Sequence, residues 1–276
     1  MRVMPTILDA AKANDAFWEA EYKALSGSKA MLALIAGLLA RTHTSAYLSV
    51  NMRPSVISAL LKSGIYETVF EVADRQAALI KRDPSQELRR LLGKFHDKRV
   101  AFHDAFHIPT TAFYGAVNIG GLGASDYGWF CIVLKGLAVN RPKAAYLKED
   151  SLLSYVDNAA KVDVGRVEGE VASPARLGEL VCLKHVSDPA VADPAAWPVM
   201  MCNSACYVEA IVEDTLSADQ VSEMRVARHR YDYLMDLAFG GFFGRRTEPE
   251  RALAQDFIDV LSGASARSIP LQAIEV

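Results

Sequence analysis

The hydrophobic period of the chain changes near residue 110, and nothing else in it constrains the fold as much. Before that point apolar residues recur at three- and four-residue spacings. They predict a helix over 6–25. A second is expected over 28–41, capped by Ser28 after the Ser26-Gly27-Ser28 break. Residues 46–51 alternate like a short strand. Pro54 then suits the first turn of a helix that Gly64 ends. Residues 73–107 read as helical, with a break at Asp83-Pro84. Beyond 110 the texture is β-rich, and 113–119, 127–134, 177–186 and 205–213 read as strands. The prolines of 188–198 predict a loop. The tail returns to helix over about 217–240 and 248–262, separated by Gly240-Gly241. A helical first part followed by a β-rich part is the pattern of an α+β fold.

Composition removes several classes. Of 276 residues, 51% are hydrophobic and 23% charged, which excludes a mostly disordered chain. The net charge of −3 argues against a broad phosphate-binding surface, so nucleic acid is an unfavoured partner. The longest apolar stretch, 31–40, has ten residues where a membrane helix needs about 20. The amino terminus lacks the apolar run and cleavage site of a secretory signal. Cys131, Cys182, Cys202 and Cys206 sit mostly among apolar residues and read as free thiols of a reducing compartment.

Common catalytic motifs are absent. Gly120-Gly121-Leu122-Gly123 reads as a tight turn between two strands, not as a dinucleotide fingerprint. His103 and His107 have the spacing of a metal pair on one helix face, but no third ligand is evident, and a surface or capping role is expected. Cys202 and Cys206 lack a second pair to complete a zinc site, so no metal is expected.

Other residues are harder to assign to packing. On a strand, Glu209 and Glu213 point to one face with Ile211 between them. Two carboxylates there imply either an edge strand with a solvent face or a carboxylate aimed at developing positive charge. Arg53 beside a helix amino terminus suits a pyrophosphate, or is an ordinary turn residue. Tyr114, Tyr127, Trp129 and Phe130 offer aromatic faces for a flat ring, or for the core. Asp150 and Ser151 suit a helix cap.

Taken in order, Asn51 to Arg53, Gly64-Ile65-Tyr66, Phe70-Glu71, Tyr114-Gly115-Ala116-Val117-Asn118, Tyr127-Gly128, Asp150-Ser151 and Glu209-Ala210-Ile211-Val212 resemble the ADP-ribosyltransferase fold. More closely, they are similar to a family of bacterial toxins and effectors, and the chain also resembles the type III effectors that ADP-ribosylate a threonine of host ubiquitin. The resemblance covers about 47–226. Asn51 stands where the family often has histidine, Trp129 where serine is common, and Glu213-Asp214 where a histidine-glycine step closes the late strand. The Arg, Ser-Thr-Ser and Glu-x-Glu triad of familiar transferases is not present as such.

The resemblance implies a split β-sheet core in a catalytic domain over 46–276 with carboxy-terminal helices; an amino-terminal helical region (1–45) falls outside it and would dock a protein target or complete the core. It implies NAD as substrate, a protein acceptor, and a soluble protein delivered into a host cytosol or else kept in the bacterial cytoplasm. Glu209 would be the catalytic carboxylate, with Glu213 on the same face the second candidate for that role or the residue that positions the acceptor. Arg53 would hold the pyrophosphate. Tyr66, Tyr114 or Tyr127 would stack on nicotinamide or adenine, with Gly115 in the same motif as Tyr114. Asn51 and Asn118 would hydrogen-bond the carboxamide or ribose. The alternatives are an NAD glycohydrolase and an inactive binding protein that keeps the fold.

Overall fold

A computed structural model describes residues 5–203, 206–240 and 246–275. The fold is α+β, built on one eight-stranded open sheet. Its strands are β1 (Tyr47–Met52), β2 (Phe113–Asn118), β3 (Phe130–Leu137), β4 (Ala144–Leu147), β5 (Val171–Ala172), β6 (Glu209–Val212), β7 (Val221–Ala227) and β8 (Leu271–Ile274). They run in the order β5-β4-β6-β2-β1-β3-β7-β8. Every pairing is antiparallel except that of β7 with β8.

Helices α1 (Ile7–Ala13), α2 (Asp15–Lys23) and α3 (Lys29–Ser45) precede the sheet. Ser28 caps α3, accepting from the Met31 amide at 3.2 Å. Trp18 Nε1 and Asn14 Nδ2 both donate to the Val171 carbonyl, at 2.8 and 2.9 Å, and so occupy the outer edge of β5. Between β1 and β2 come α4 (Pro54–Ser63), α5 (Val69–Ile80), α6 (Pro84–Leu92) and α7 (His96–Phe106). Gly64 stops α4 at φ 83°, and Asp83 caps α6 by accepting from the Ser85 amide. The helical stretch expected over 73–107 breaks at Asp83-Pro84 as expected and a second time at Gly93–Phe95, which separates α6 from α7.

Two expectations are corrected. Residues 177–186 are not a strand but helix α10 (Leu177–His185), which follows α8 (Ser151–Ser154) and α9 (Val164–Glu170). Leu177, Leu180, Val181, Cys182 and His185 are buried, and the run is buried nearly all round because α2 and α3 pack against it in the larger core. Such a run carries no period that separates helix from strand. The loop expected at 188–198 is present over 188–196, with a 3-10 turn at Pro189–Ala192, and the short α11 (Trp197–Met201) begins at its end.

The second correction falls in the tail. Residues 221–227 form β7 against β3, with Val221, Met224 and Val226 inward, and only then does α12 (Arg228–Phe239) begin. Helix α13 (Glu248–Ala266) follows, while Gly241 and Ala205 lie outside the described residues.

The larger core covers one face of the sheet and draws Trp18, Ile35 and Leu38 together with Leu48, Phe130, Leu180 and Phe257. On the other face α1 and α7 bury Ala145, Leu147 and Ile211 beneath Ile7, Phe102 and Phe106. Among the described residues no helix is long and apolar enough to cross a membrane.

Candidate active site

The sheet opens between its two middle strands. Residues Tyr47 to Ser49 of β1 pair with β2, whereas Val50, Asn51 and Met52 pair only with β3. Phe113, Tyr114 and Gly115 of β2 pair only with β6. The strands diverge past Gly115, where a Cβ would meet the Ser49 carbonyl at 2.7 Å. A cavity of about 250 Å³ fills the opening. Asn51, Tyr66, Tyr114, Gly115, Tyr127 and Glu209 line it, together with Phe70, Arg99 and Tyr207.

Glu209 is the first residue of β6, and β6 is an interior strand between β4 and β2, not an edge. The carboxylate is buried, and its Oε2 accepts from the Ser151 amide at 2.7 Å. Burial, then the charge of Asp150, push its pKa up to about 8, against the opposing pull of Arg99. At neutral pH the side chain is therefore largely protonated.

Asp150 organises the mouth. Its Oδ1 caps α8, accepting from the Leu152 and Leu153 amides at 2.9 and 2.8 Å. Its Oδ2 accepts from the Tyr207 hydroxyl at 2.7 Å and from that of Tyr127. The cap expected at Asp150 is present, and the same carboxylate also fixes two aromatic walls of the cavity. Burial raises the pKa of both phenols.

The opposite wall is a stack from α7. The Arg99 guanidinium lies 3.8 Å from the centre of the Tyr114 ring, a contact worth about 0.5–2 kcal/mol. The Tyr114 hydroxyl meets His103 Nε2 at 2.9 Å, and His103 Nδ1 meets the Ile108 carbonyl at 3.2 Å. A carbonyl only accepts, so Nδ1 carries the proton and Nε2 accepts from Tyr114. Burial and the nearby Arg99 charge hold His103 neutral, with its pKa lowered to about 4. Burial pushes Tyr114 up to about 12. His103 is thus a buried support for Tyr114, not a surface residue. His107 is exposed in the left-handed cap position of α7, so the two histidines do not converge.

Three residues to which the resemblance gave site roles do not line the cavity. Asn118 is buried under the glycine turn. Its Oδ1 accepts from the Gly120 and Gly121 amides, both at 2.8 Å, and its Nδ2 donates to the Gly121 carbonyl and to Ser49 Oγ. Its role is to build the turn that joins β2 to β3. Glu213 shares the Glu209 face by alternation, but Ile211 between them is packed under α1. Its half-buried carboxyl has a pKa raised by burial and then by Asp9. Arg53 is the exposed residue preceding α4, at the end of β1. Asn51 does line the cavity, yet its Nδ2 is committed to the Leu122 and Gly128 carbonyls, at 2.9 and 3.1 Å.

The sequence reading missed Arg99, Tyr207 and the role of His103. Signals existed: Tyr207 precedes Glu209 by two on the same strand face, and Arg99 precedes His103 by four on the same helix face. Two buried polar atoms of cavity residues, Arg99 Nη1 and Asn51 Oδ1, have no hydrogen-bond partner among the described residues. Among the described residues no group of three His, Cys, Asp or Glu side chains could hold a metal. Compared with protein-family models and with curated proteins, the chain matches none.

Proposed function

We propose that the chain is a mono-ADP-ribosyltransferase that moves ADP-ribose from NAD to a hydroxyl of a protein acceptor, with host ubiquitin the first acceptor to test. The core would then be ADP-ribosyltransferase-like, its split lying between β1 and β2. One observation carries the reading: a buried glutamate, held by the Ser151 amide, stands in a tyrosine-walled cavity formed by the segments on which the family resemblance rests.

The cavity is at the small end for a ligand site. It is the size of a nicotinamide ring and its ribose, with the remainder of the dinucleotide along the opening. Tyr66, Tyr114 and Tyr127 supply ring faces. A bound pyridinium cation lowers the pKa of Glu209, so the carboxylate ionises where it is used. Ionised, it holds the ribose hydroxyl and stabilises positive charge as the glycosidic bond breaks and nicotinamide leaves with the electron pair. At about 4 Å and an effective dielectric near 20, that attraction is about 4 kcal/mol, or roughly a thousandfold in rate. The acceptor oxygen then bonds to the ribose carbon and loses its proton to solvent.

The test is mass spectrometry of a cell lysate treated with NAD and the protein, beside Glu209→Ala. An ADP-ribosyl adduct on a lysate protein, lost in the variant, is the expected result. Nicotinamide without an adduct would make the protein a glycohydrolase, and untouched NAD would overturn the mechanism.

A further inference from the structure

Arg99 is the charged residue of the cavity that the proposed reaction does not use. It and Glu209 are the only charged side chains among the described residues that line the cavity. At neutral pH Glu209 is largely protonated, so the lining carries one net positive charge. Among the described residues Arg99 makes no ion pair, and its buried Nη1 has no hydrogen-bond partner. The guanidinium rests on the Tyr114 ring. Such stacking offsets only part of what a cation loses on leaving water.

The groups around it do not supply the missing anion. Asp150 stands at the mouth, outside the lining, and its Oδ2 already takes the Tyr127 and Tyr207 hydroxyls. On the α5 side Glu71 closes a capping box, accepting from the Thr68 amide at 2.8 Å. His103 is neutral. The rings of Tyr66, Phe70 and Tyr127 complete the walls. At about 250 Å³ the cavity is smaller than a site for a drug-sized ligand, and it suits one aromatic ring with a short substituent.

We propose that the cavity binds a small aromatic carboxylate, with its ring among the tyrosines and its carboxylate on Arg99. A guanidinium can hold both oxygens of a planar carboxylate at once. A protonated Glu209 can donate a further hydrogen bond to the same group. A carboxamide offers one oxygen and leaves the cation unpaired, so the site prefers an acid to its own amide. The effect of such an acid on transfer rests on the proposed function, in which nicotinamide fills the same place; its binding does not.

The probes are benzoate and benzamide, titrated calorimetrically into the full chain at pH 7. Benzoate is expected to bind on the order of tenfold more tightly than benzamide. Arg99→Gln should remove that preference, and Arg99→Lys, which keeps the charge without the fork, should retain part of it. The pH dependence of the wild type is a check that needs no variant. As the pH rises past about 8, Glu209 ionises, loses its donor and repels the bound carboxylate. Tyr66, Tyr114, Tyr127, Tyr207 and His103 do not titrate between pH 7 and 9. The preference for benzoate should therefore fall severalfold over that range, while benzamide binding changes little. Benzamide that binds as tightly as benzoate, a preference that survives in Arg99→Gln, or one that is constant with pH overturns the site. The two readings fail separately: benzoate bound while NAD is untouched removes only the transferase, and nicotinamide released from NAD with no benzoate bound removes only the carboxylate site.

Discussion

Replacing Glu209 by Gln should make the protein more stable in alkali, and the gain should vanish in mild acid. The wild-type carboxyl has a pKa of about 8 when folded, against about 4.5 for a free side chain. Folding therefore favours the protonated form. That preference is fully present below pH 4.5 and is lost as the pH rises through 8. At about 1.4 kcal/mol for each tenfold change in acidity, the loss by pH 9 is at most on the order of 5 kcal/mol. Water entry and small shifts of α8 reduce it. Glutamine keeps the shape, can accept from the Ser151 amide, and cannot ionise. Urea unfolding of both proteins at pH 5, 7 and 9 checks the argument. The two should agree within about 1 kcal/mol at pH 5 and diverge by several at pH 9, with the variant the more stable. Other titrating groups are common to both proteins and cancel in the difference. A gap that stays constant across the three pH values would refute the picture of a carboxyl buried uncharged.

Other expectations follow from single contacts. Tyr114→Phe leaves His103 Nε2 buried without its donor and should cost about 1–3 kcal/mol in a urea melt. His185 is fully buried, neither ring nitrogen makes a hydrogen bond among the described residues although Asp188 Oδ2 stands 3.9 Å from Nδ1, and burial lowers its pKa to about 4. Its stabilising neutral form is retained above about pH 6.5 and lost as the pH falls through 4. His185→Leu should therefore flatten the acid limb of the stability curve, and an unchanged limb would count against a buried neutral imidazole.

Local signals in the sequence specified what local chemistry controls. Ser28, Asp83-Pro84 and Gly64 marked helix ends because capping and left-handed backbone depend on one or two residues. The strand carrying Glu209 was legible because its polar residues alternate. Helix α10 was not, since burial on all sides erases the period. Strand β4 is four residues long, and β8 is an edge strand whose pairing depends on β7. Within the site, Glu209 stood out as a carboxylate in an apolar run. Arg99 did not, because an arginine on a polar helix reads as a solvated face. Only the fold turns it over the Tyr114 ring. Asn118 was legible as important but not as structural: its two bonds to glycine amides exist only once the turn has formed.

The order of the strands also bears on when the cavity can come into being. Ala116 of β2 pairs with Glu209, a residue far along the chain. While the chain is being made, β1, β2 and β3 can pair early, but β2 keeps a bare edge until β6 arrives. An open edge of this kind is prone to pair with other chains. The strand that covers it carries the carboxylate. Covering that edge and installing the candidate reactive group are thus one event, so no chain that stops short of β6 has a finished cavity.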